Sequence, residues 1–370
     1  MMDEFAILGA NIKAIGVGGG GTNMINHMIQ TGVTGIEMIA ANTDAQALAS
    51  SQAPIKIQLG PETTKGLGAG MRPEIGRNAA EESYEEIKEA LRGANLVFIA
   101  AGLGGGTGTG AASVVAAAAK EVGALTVSVV TRPFMFEGPK RKKFADQGLT
   151  ELRQMSDSIV IIPNDKLLAI VNKNTGFKDS FKIVDDVLAR AVMGISGVIL
   201  SHGPSDINID FADLRTVMSH RGLALMGIGE ASGTEAAYEA IKSAIESPLF
   251  DNVSINGAMG VLVHFQIHPS YPLAAINNAM SIVYETAHED ADVIFGTTTD
   301  ETLPPDQVRI TIVATGFERE AANNPVGRTE APSSATRITK PRVIKIASGY
   351  DIAMDEETLA VPTYIRRQLD

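Results

Sequence analysis

The chain has 370 residues, 45% of them hydrophobic, no cysteine and a formal net charge of −12. It can hold two domains with a sizeable core, but neither disulfides nor cysteine-ligated metals. The acidic balance argues against a general nucleic-acid binder, which needs a basic footprint, and no apolar run has the length of a membrane span.

Met1 to Ala10 carries acids where a secretory signal would be basic, so a cytoplasmic protein is expected. Ile12 to Val17 reads as a strand, followed by Gly18 to Gly21, Thr22-Asn23 and a helical run from Met24 to Gln30. Gly16, Gly18 and Gly21 fit G-x-G-x-x-G, a weak signal alone. No Gly-Lys-Ser/Thr follows, so this is not a P-loop. Ile36 to Ala41 reads as a second strand, ending in the polar triplet Asn42-Thr43-Asp44. A dinucleotide enzyme would want an acid there for a ribose hydroxyl, so Asp44 leaves that alternative open. Lys65 to Gly70 is another glycine-rich loop, and Glu74 to Arg92 reads as a charged helix.

Leu96 to Ala101 is apolar enough for a buried strand, and Ala111 to Lys120 reads as a helix. Between them, six of the nine residues from Gly102 to Gly110 are glycine. Missing Cβ atoms let backbone N–H groups approach a ligand, and the next helix aims its positive end at the same place. That combination makes an anion site, most commonly for phosphate. A flexible linker would not sit between a buried strand and a helix.

Leu125 to Val130 is a further strand, leading into Thr131 to Gly138. The basic cluster Lys140 to Lys143 then opens a helix, with a solvated face as its bland reading. Ser158 to Ile162 is a strand closed by Pro163-Asn164-Asp165. The β-α alternation points to an open parallel sheet, whose loops gather at one edge where ligands bind. From Phe181 to Ile199 apolar residues recur at helical spacing, giving a helix of roughly 20 residues that Gly203-Pro204 stops. Asp210 and Asp213 follow, three apart; on spacing alone they read as an N-cap and a first-turn acid.

After Gly222 a second α/β block is expected. Its strands are Leu223 to Gly229, Ala258 to Gln266, Asp292 to Phe295 and Val308 to Thr315; its helices are Glu235 to Ser247 and Leu273 to Glu285. From Glu318 the composition becomes that of a disordered linker. The apolar and basic cluster from Leu359 to Asp370 reads as a docking peptide, against the alternative of a frayed terminus.

These residues together resemble the FtsZ family of bacterial tubulin-like cell-division GTPases. The most specific part is Gly104 to Gly110. Gly18 to Asn23, Gly66 to Gly70, Pro163-Asn164-Asp165 and Asn208 to Asp213 match in order and spacing. The resemblance runs from Ile12 to Phe317 and takes in the final peptide. It implies an α/β fold with a Rossmann-type parallel-sheet GTP-binding domain over 11–176 and a central helix over 177–203. A smaller α/β domain over 204–317, a disordered linker over 318–354 and a partner-binding peptide over 355–370 would follow.

The resemblance also carries roles. Gly19, Gly20, Gly21, Thr22, Asn23, Asp44, Ala69, Gly70, Gly105, Gly106, Thr107, Gly108 and Pro133 would contact the nucleotide. Glu137 and Arg141 would sit at the ribose and phosphates, and Asn164 and Asp186 would read the guanine with Phe181 stacking nearby. A carboxylate suits guanine because it accepts from both N1–H and the 2-amino group; Asp185, one residue earlier, is the alternative. Asn208, Asp210 and Asp213 would be the catalytic residues, inserted into the neighbouring subunit's site and acting on the attacking water. The implied ligands are GTP and GDP, with Mg2+ held mainly through the phosphates and no protein-built metal site. The implied partners are other copies in a head-to-tail protofilament, and division membrane adaptors and regulators at the C-terminal peptide. Neither nucleic-acid binding nor membrane insertion is implied, and the implied location is the mid-cell ring.

The departures are small. Thr22 stands where glycine is common, and Val361 and Tyr364 where the family often has Ile and Phe. The apolar stretch Val343 to Ile346 has no account. The competing readings are an NAD-dependent Rossmann enzyme and a tubulin-like scaffold that binds nucleotide without turnover.

Overall fold

The computed structural model describes residues 10–167, 176–200, 206–220, 222–250 and 255–317. The helix stop at Gly203-Pro204, the linker and apolar stretch of 318–354, and the terminal peptide 355–370 lie outside the described residues.

Seven strands form a parallel block: β1 (Ile12–Val17), β2 (Ile36–Asn42), β3 (Ile55–Gln58), β4 (Leu96–Gly102), β5 (Leu125–Arg132), β6 (Ser158–Pro163) and β7 (Gly222–Ser232). β8 (Gly260–Ile267), β9 (Asp292–Thr299) and β10 (Gln307–Thr315) complete a ten-stranded sheet of order β3-β2-β1-β4-β5-β6-β7-β10-β8-β9. β10 runs antiparallel to both β7 and β8, whereas β8 and β9 are parallel. The two α/β blocks expected from the sequence therefore share a sheet. A ladder of three residue pairs, Ser158 to Val160 against Gly222 to Ala224, joins them.

The central strands are largely apolar because helices cover both faces; every residue of β1 is buried. Among the described residues there are twelve helices. Before β6 come α1 (Gly18–Gln30), α2 (Ala45–Ala49), α3 (Pro61–Thr64), α4 (Pro73–Glu82), α5 (Tyr84–Leu91), α6 (Thr107–Glu121) and α7 (Pro139–Met155). After β6 come α8 (Asn164–Leu167), α9 (Phe177–Leu200), α10 (Phe211–Met218), α11 (Ala236–Ile245) and α12 (Leu273–Thr286). Among the described residues no helix is long and apolar enough to cross a membrane.

Two differences from the sequence reading have local causes. The single helix expected over 74–92 is broken into α4 and α5 at Ser83. The Ser83 hydroxyl accepts from the Gly60 N–H at 3.0 Å and donates to the Gln58 carbonyl at 3.2 Å. A serine that binds other backbone groups in this way competes with the helix. The edge strand β3 escaped notice because only four residues, two of them polar, carry its pattern. The long helix α9 has 24 residues, and Val184, Val187, Leu188, Ala191, Val192, Ile195 and Val198 are buried in the core as their spacing requires.

Candidate functional site

Strand order reverses at β1, whose chain continues to β2 on one side while β4 lies on the other. Ligands of open α/β sheets bind in the crevice outside the strand ends at such a switch point. Here the glycine-rich turns after β1 and β4 meet in a cavity of about 340 Å³. Its walls include Gly19, Gly20 and Asn23 from α1, Gly70, and Gly105 to Gly108 at the start of α6.

Both helices that begin here lack a side-chain cap and a first-turn acid. Two other helices do carry an acid cap: Asp44 accepts from the Gln46 and Ala47 N–H groups, and Asp210 accepts from that of Ala212. Two uncapped N-termini facing one cavity leave backbone donors and positive helix ends for an anion. The loop over Gly106 sits tight: a Cβ there would lie 2.3 Å from the Gly70 carbonyl oxygen and 2.9 Å from the Ala69 Cβ.

The opposite wall is built differently. Pro133, Glu137, Arg141 and Asn164 line it, with Phe181, Val184, Asp185 and Leu188 of α9. One Glu137 carboxylate oxygen accepts from the Phe134 N–H at 2.9 Å and the other from Arg141 at 2.7 Å. Phe181 meets Phe134 edge-on, with ring centroids 5.4 Å apart. The Asn164 side-chain oxygen is buried and has no protein partner among the described residues. Such an orphan fits a ligand that offers an N–H.

Several expected residues stand elsewhere. Gly21 packs against the Ala100 carbonyl, and Thr22 is buried behind the turn. Ala69 is buried beneath Gly106, and Asp44 is the N-cap of α2. Asp186 is not among the residues that line this cavity. Its carboxylate is 2.7 Å from Arg190 and 3.4 Å from the His27 ring nitrogen, in a separate cleft of about 510 Å³ between α9 and the C-terminal strands. Asp185 lines the cavity instead, and burial pushes its pKa up to about 6, against a small opposing pull from His27. The signal was in the sequence. Phe181, Val184, Asp185 and Leu188 are spaced i, i+3, i+4, i+7 and share one helix face, while Asp186 is rotated off it. Thr131 also lines the cavity without having been singled out.

Asn208, Asp210 and Asp213 are exposed and do not line the cavity. Their loop is pinned to the far end of α9 and to β9. The Ile209 N–H donates to the Val198 carbonyl, and Ile207 exchanges hydrogen bonds with Thr297. From Phe181 at the cavity to Val198 is about 25 Å along the helix, at a rise of about 1.5 Å per residue. Among the described residues no three His, Cys, Asp or Glu side chains gather as metal ligands.

Comparison with known proteins gives a consistent result. The model of the "Tubulin/FtsZ family, GTPase domain" matches residues 11–172, and that of the "FtsZ family, C-terminal domain" matches 222–318. The cell division protein FtsZ of Helicobacter pylori is 49% identical over 367 residues, covering 99% of this chain and 94% of that protein. The FtsZ of Neisseria gonorrhoeae is 49% identical over 334 residues, covering 90% and 84%. Among solved structures, an empty FtsZ dimer of M. jannaschii matches with a TM-score of 0.80 at 45% identity, covering 84% of this chain and 89% of that one. A GTPγS-bound protofilament of CetZ2 from Haloferax volcanii shares the fold, with a TM-score of 0.69 at 20% identity over 85% and 98% of the two chains.

Proposed function

The chain belongs to the FtsZ family of tubulin-like GTPases, and from that premise we propose how its cavity and its acid loop divide the work. It is a GTPase with a cytoskeletal role in cell division. In our reading, GTP lies in the cavity with its phosphates at the starts of α1 and α6, held by backbone N–H groups and Thr107. Glu137 and Arg141 take the ribose and the adjoining phosphates. Asn164 and Asp185 read the guanine edge, and Phe181 covers the base. The observation that carries this reading is the meeting of two uncapped helix N-termini in one cavity.

The cavity's two acids are not arranged to hold a cation: Glu137 is already engaged, and Asp185 stands at the base end. Mg2+ would therefore be held through phosphate oxygens and water, where it would neutralise charge between the β- and γ-phosphates. Asp44, the ribose acid that the Rossmann alternative would need, is the N-cap of α2 and does not line the cavity.

Hydrolysis on this reading needs a second copy. The acids lie past α9, beyond the roughly 25 Å of helix from Phe181 to Val198, and head-to-tail stacking would set Asn208, Asp210 and Asp213 of one copy over the nucleotide of the next. A heterologous contact of that kind propagates into a filament. Asp210 and Asp213 would orient and polarise the attacking water, while Asp210 keeps its capping bond. We assign the GTP-binding unit to 11–176, the connecting helix to 177–203 and the acid-bearing unit to 204–317. The peptide (355–370), joined through the linker (318–354), would bind division adaptors and regulators and hold the filament at the mid-cell ring.

The test is a mixing experiment. Asp210→Asn keeps an N-cap oxygen, since asparagine caps as well as aspartate, but removes the charge. It should bind GTP and polymerise, yet hydrolyse about 10²–10⁴-fold more slowly. Gly106→Val should lose nucleotide. Junctions that pair an intact cavity with an intact acid loop should regain turnover when the two are mixed. Full turnover by dilute, monomeric Asp210→Asn would overturn the shared site.

A further inference from the structure

Thr43 belongs to the polar triplet after β2 and does not line the cavity. It is fully buried, at 0% exposure. Its hydroxyl lies 2.6 Å from that of Thr107, the cavity-lining first residue of α6, and either oxygen could be the donor. The position of Thr43 is fixed by its backbone. Its carbonyl accepts from Gln58 Nε2 at 3.1 Å, and from the Thr64 hydroxyl and the Gly68 N–H at 3.2 Å each. One residue thus ties the end of β2 to the 64–70 loop and to the phosphate-type turn.

Burial decides the direction of the Thr43–Thr107 bond. A hydroxyl has one proton to give and two lone pairs to receive. Among the described residues the Thr43 hydroxyl has one partner, the Thr107 oxygen. If Thr107 donated, the Thr43 proton would be buried without an acceptor, and an unmade buried donor is costly. If Thr43 donates, both protons are used: its own goes to Thr107, and Thr107 is left to present its proton to the cavity. The second arrangement wins.

From this we infer that Thr43 is a positioning residue for the phosphates. Its buried hydroxyl donates to Thr107, so that Thr107 faces the cavity as a donor to a phosphate oxygen. The accepted bond also polarises the Thr107 O–H and strengthens it as a donor, as in any chain of hydrogen bonds. This inference rests on the assignment of the cavity to GTP.

A double-mutant cycle tests it, with affinities for GTP, GDP and guanosine measured by calorimetry on nucleotide-free full-length protein. Thr43→Val keeps the shape and removes the hydroxyl. It should weaken GTP and GDP about fivefold, the worth of roughly one neutral hydrogen bond, and leave guanosine unchanged. Thr43→Ser should restore the affinity to within about twofold, since it keeps the donor. In a Thr107→Val background, Thr43→Val should change GTP affinity less than about twofold, because coupled residues are not additive. Should Thr43→Val fail to fold, Thr43→Ala against Thr43→Ser gives the same comparison. An equal loss for guanosine, an equal loss with and without Thr107, or no loss at all would each overturn the inference. A wild-type protein that binds no GTP would instead sink the cavity assignment, a separately readable result.

Discussion

Asp185 and Asp186 are adjacent carboxylates with different surroundings, and replacing each by asparagine separates their roles. Asp185 lines the cavity and carries a pKa raised to about 6 by burial. Asp186 points into the neighbouring cleft, is 37% exposed and is paired with Arg190 and His27. A carboxylate that accepts from both the guanine N1–H and the 2-amino group makes two charge-assisted bonds, each worth about 1.5–3 kcal/mol. Asp185→Asn turns one oxygen into a donor facing a donor and removes the charge. GTP affinity should fall at least about 100-fold, and the preference for GTP over ATP should shrink. Asp186→Asn breaks a half-exposed ion pair, worth about 0–1 kcal/mol, and should leave GTP affinity within about threefold.

The raised pKa adds a second readout with a fixed sign. The free protein holds a proton on Asp185 below about pH 6, and guanine recognition needs the carboxylate. Wild-type affinity, taken relative to Asp185→Asn, should be flat above pH 6. Below it, the affinity should fall by about tenfold per unit, as proton linkage requires. Taking the ratio cancels titration of the nucleotide's own phosphates. Calorimetric titration with GTP from pH 5 to 8 measures both effects. The reasoning is refuted if Asp186→Asn loses GTP while Asp185→Asn keeps it, or if the two pH profiles run parallel.

Gly106→Val should lose nucleotide binding by more than about 100-fold, because its Cβ would lie 2.3 Å from the Gly70 carbonyl and displace the 66–70 loop; a fluorescent nucleotide reads this, and retained binding would contradict it. Burial holds His264 neutral, with its pKa lowered to about 4 against an opposing pull from Asp206. The unfolded chain protonates this histidine near pH 6.5, so its contribution is present above that pH and is lost as pH falls toward 4. The loss is on the order of 3 kcal/mol. Urea midpoints of the wild type and His264→Asn should diverge only in that window, and parallel profiles would count against the buried neutral form. Truncation after Phe317 should leave GTP turnover in solution within about twofold, since β10, the last strand described, ends at Thr315; lost turnover would place part of the enzyme in the tail.

The parallel block was legible because its strands are buried on both faces and need no alternation to betray them. Gly102 to Gly110 was legible because six glycines between a buried strand and a helix are not in a linker's setting. What escaped were features set by partners distant in sequence. The break at Ser83 depends on a hydroxyl meeting Gly60 and Gln58. The β6–β7 ladder depends on two blocks of chain meeting at three residue pairs. Asp210 reads as an N-cap from its spacing, whereas Asp44 does not, because the five-residue α2 that it caps is too short to show a period; both are N-caps. Spacing alone could not say that only Asp210 stands exposed at the end of a loop pinned across the long helix.

The two acids of α9 show how much one helix face decides. A step of one residue turns about 100°, so neighbours on a helix look in different directions. Phe181, Val184, Asp185 and Leu188 look into the nucleotide-sized cavity. Asp186, Arg190, Met193 and Gly197 look into the larger cleft, where a Cβ on Gly197 would lie 2.7 Å from the His264 ring. One rigid element is therefore a wall of both spaces. The cleft side is tied on by ion pairs: Arg190 joins Asp186 and lies 3.8 Å from Glu230 of β7, which Arg309 of β10 approaches at 3.2 Å. A displacement of α9 large enough to move Asp185 from a base must also shift Arg190 and press Gly197 on His264. Close-packed interiors resist such shifts in small steps. The position of Asp185 is thus set as much by the C-terminal sheet as by the cavity it faces.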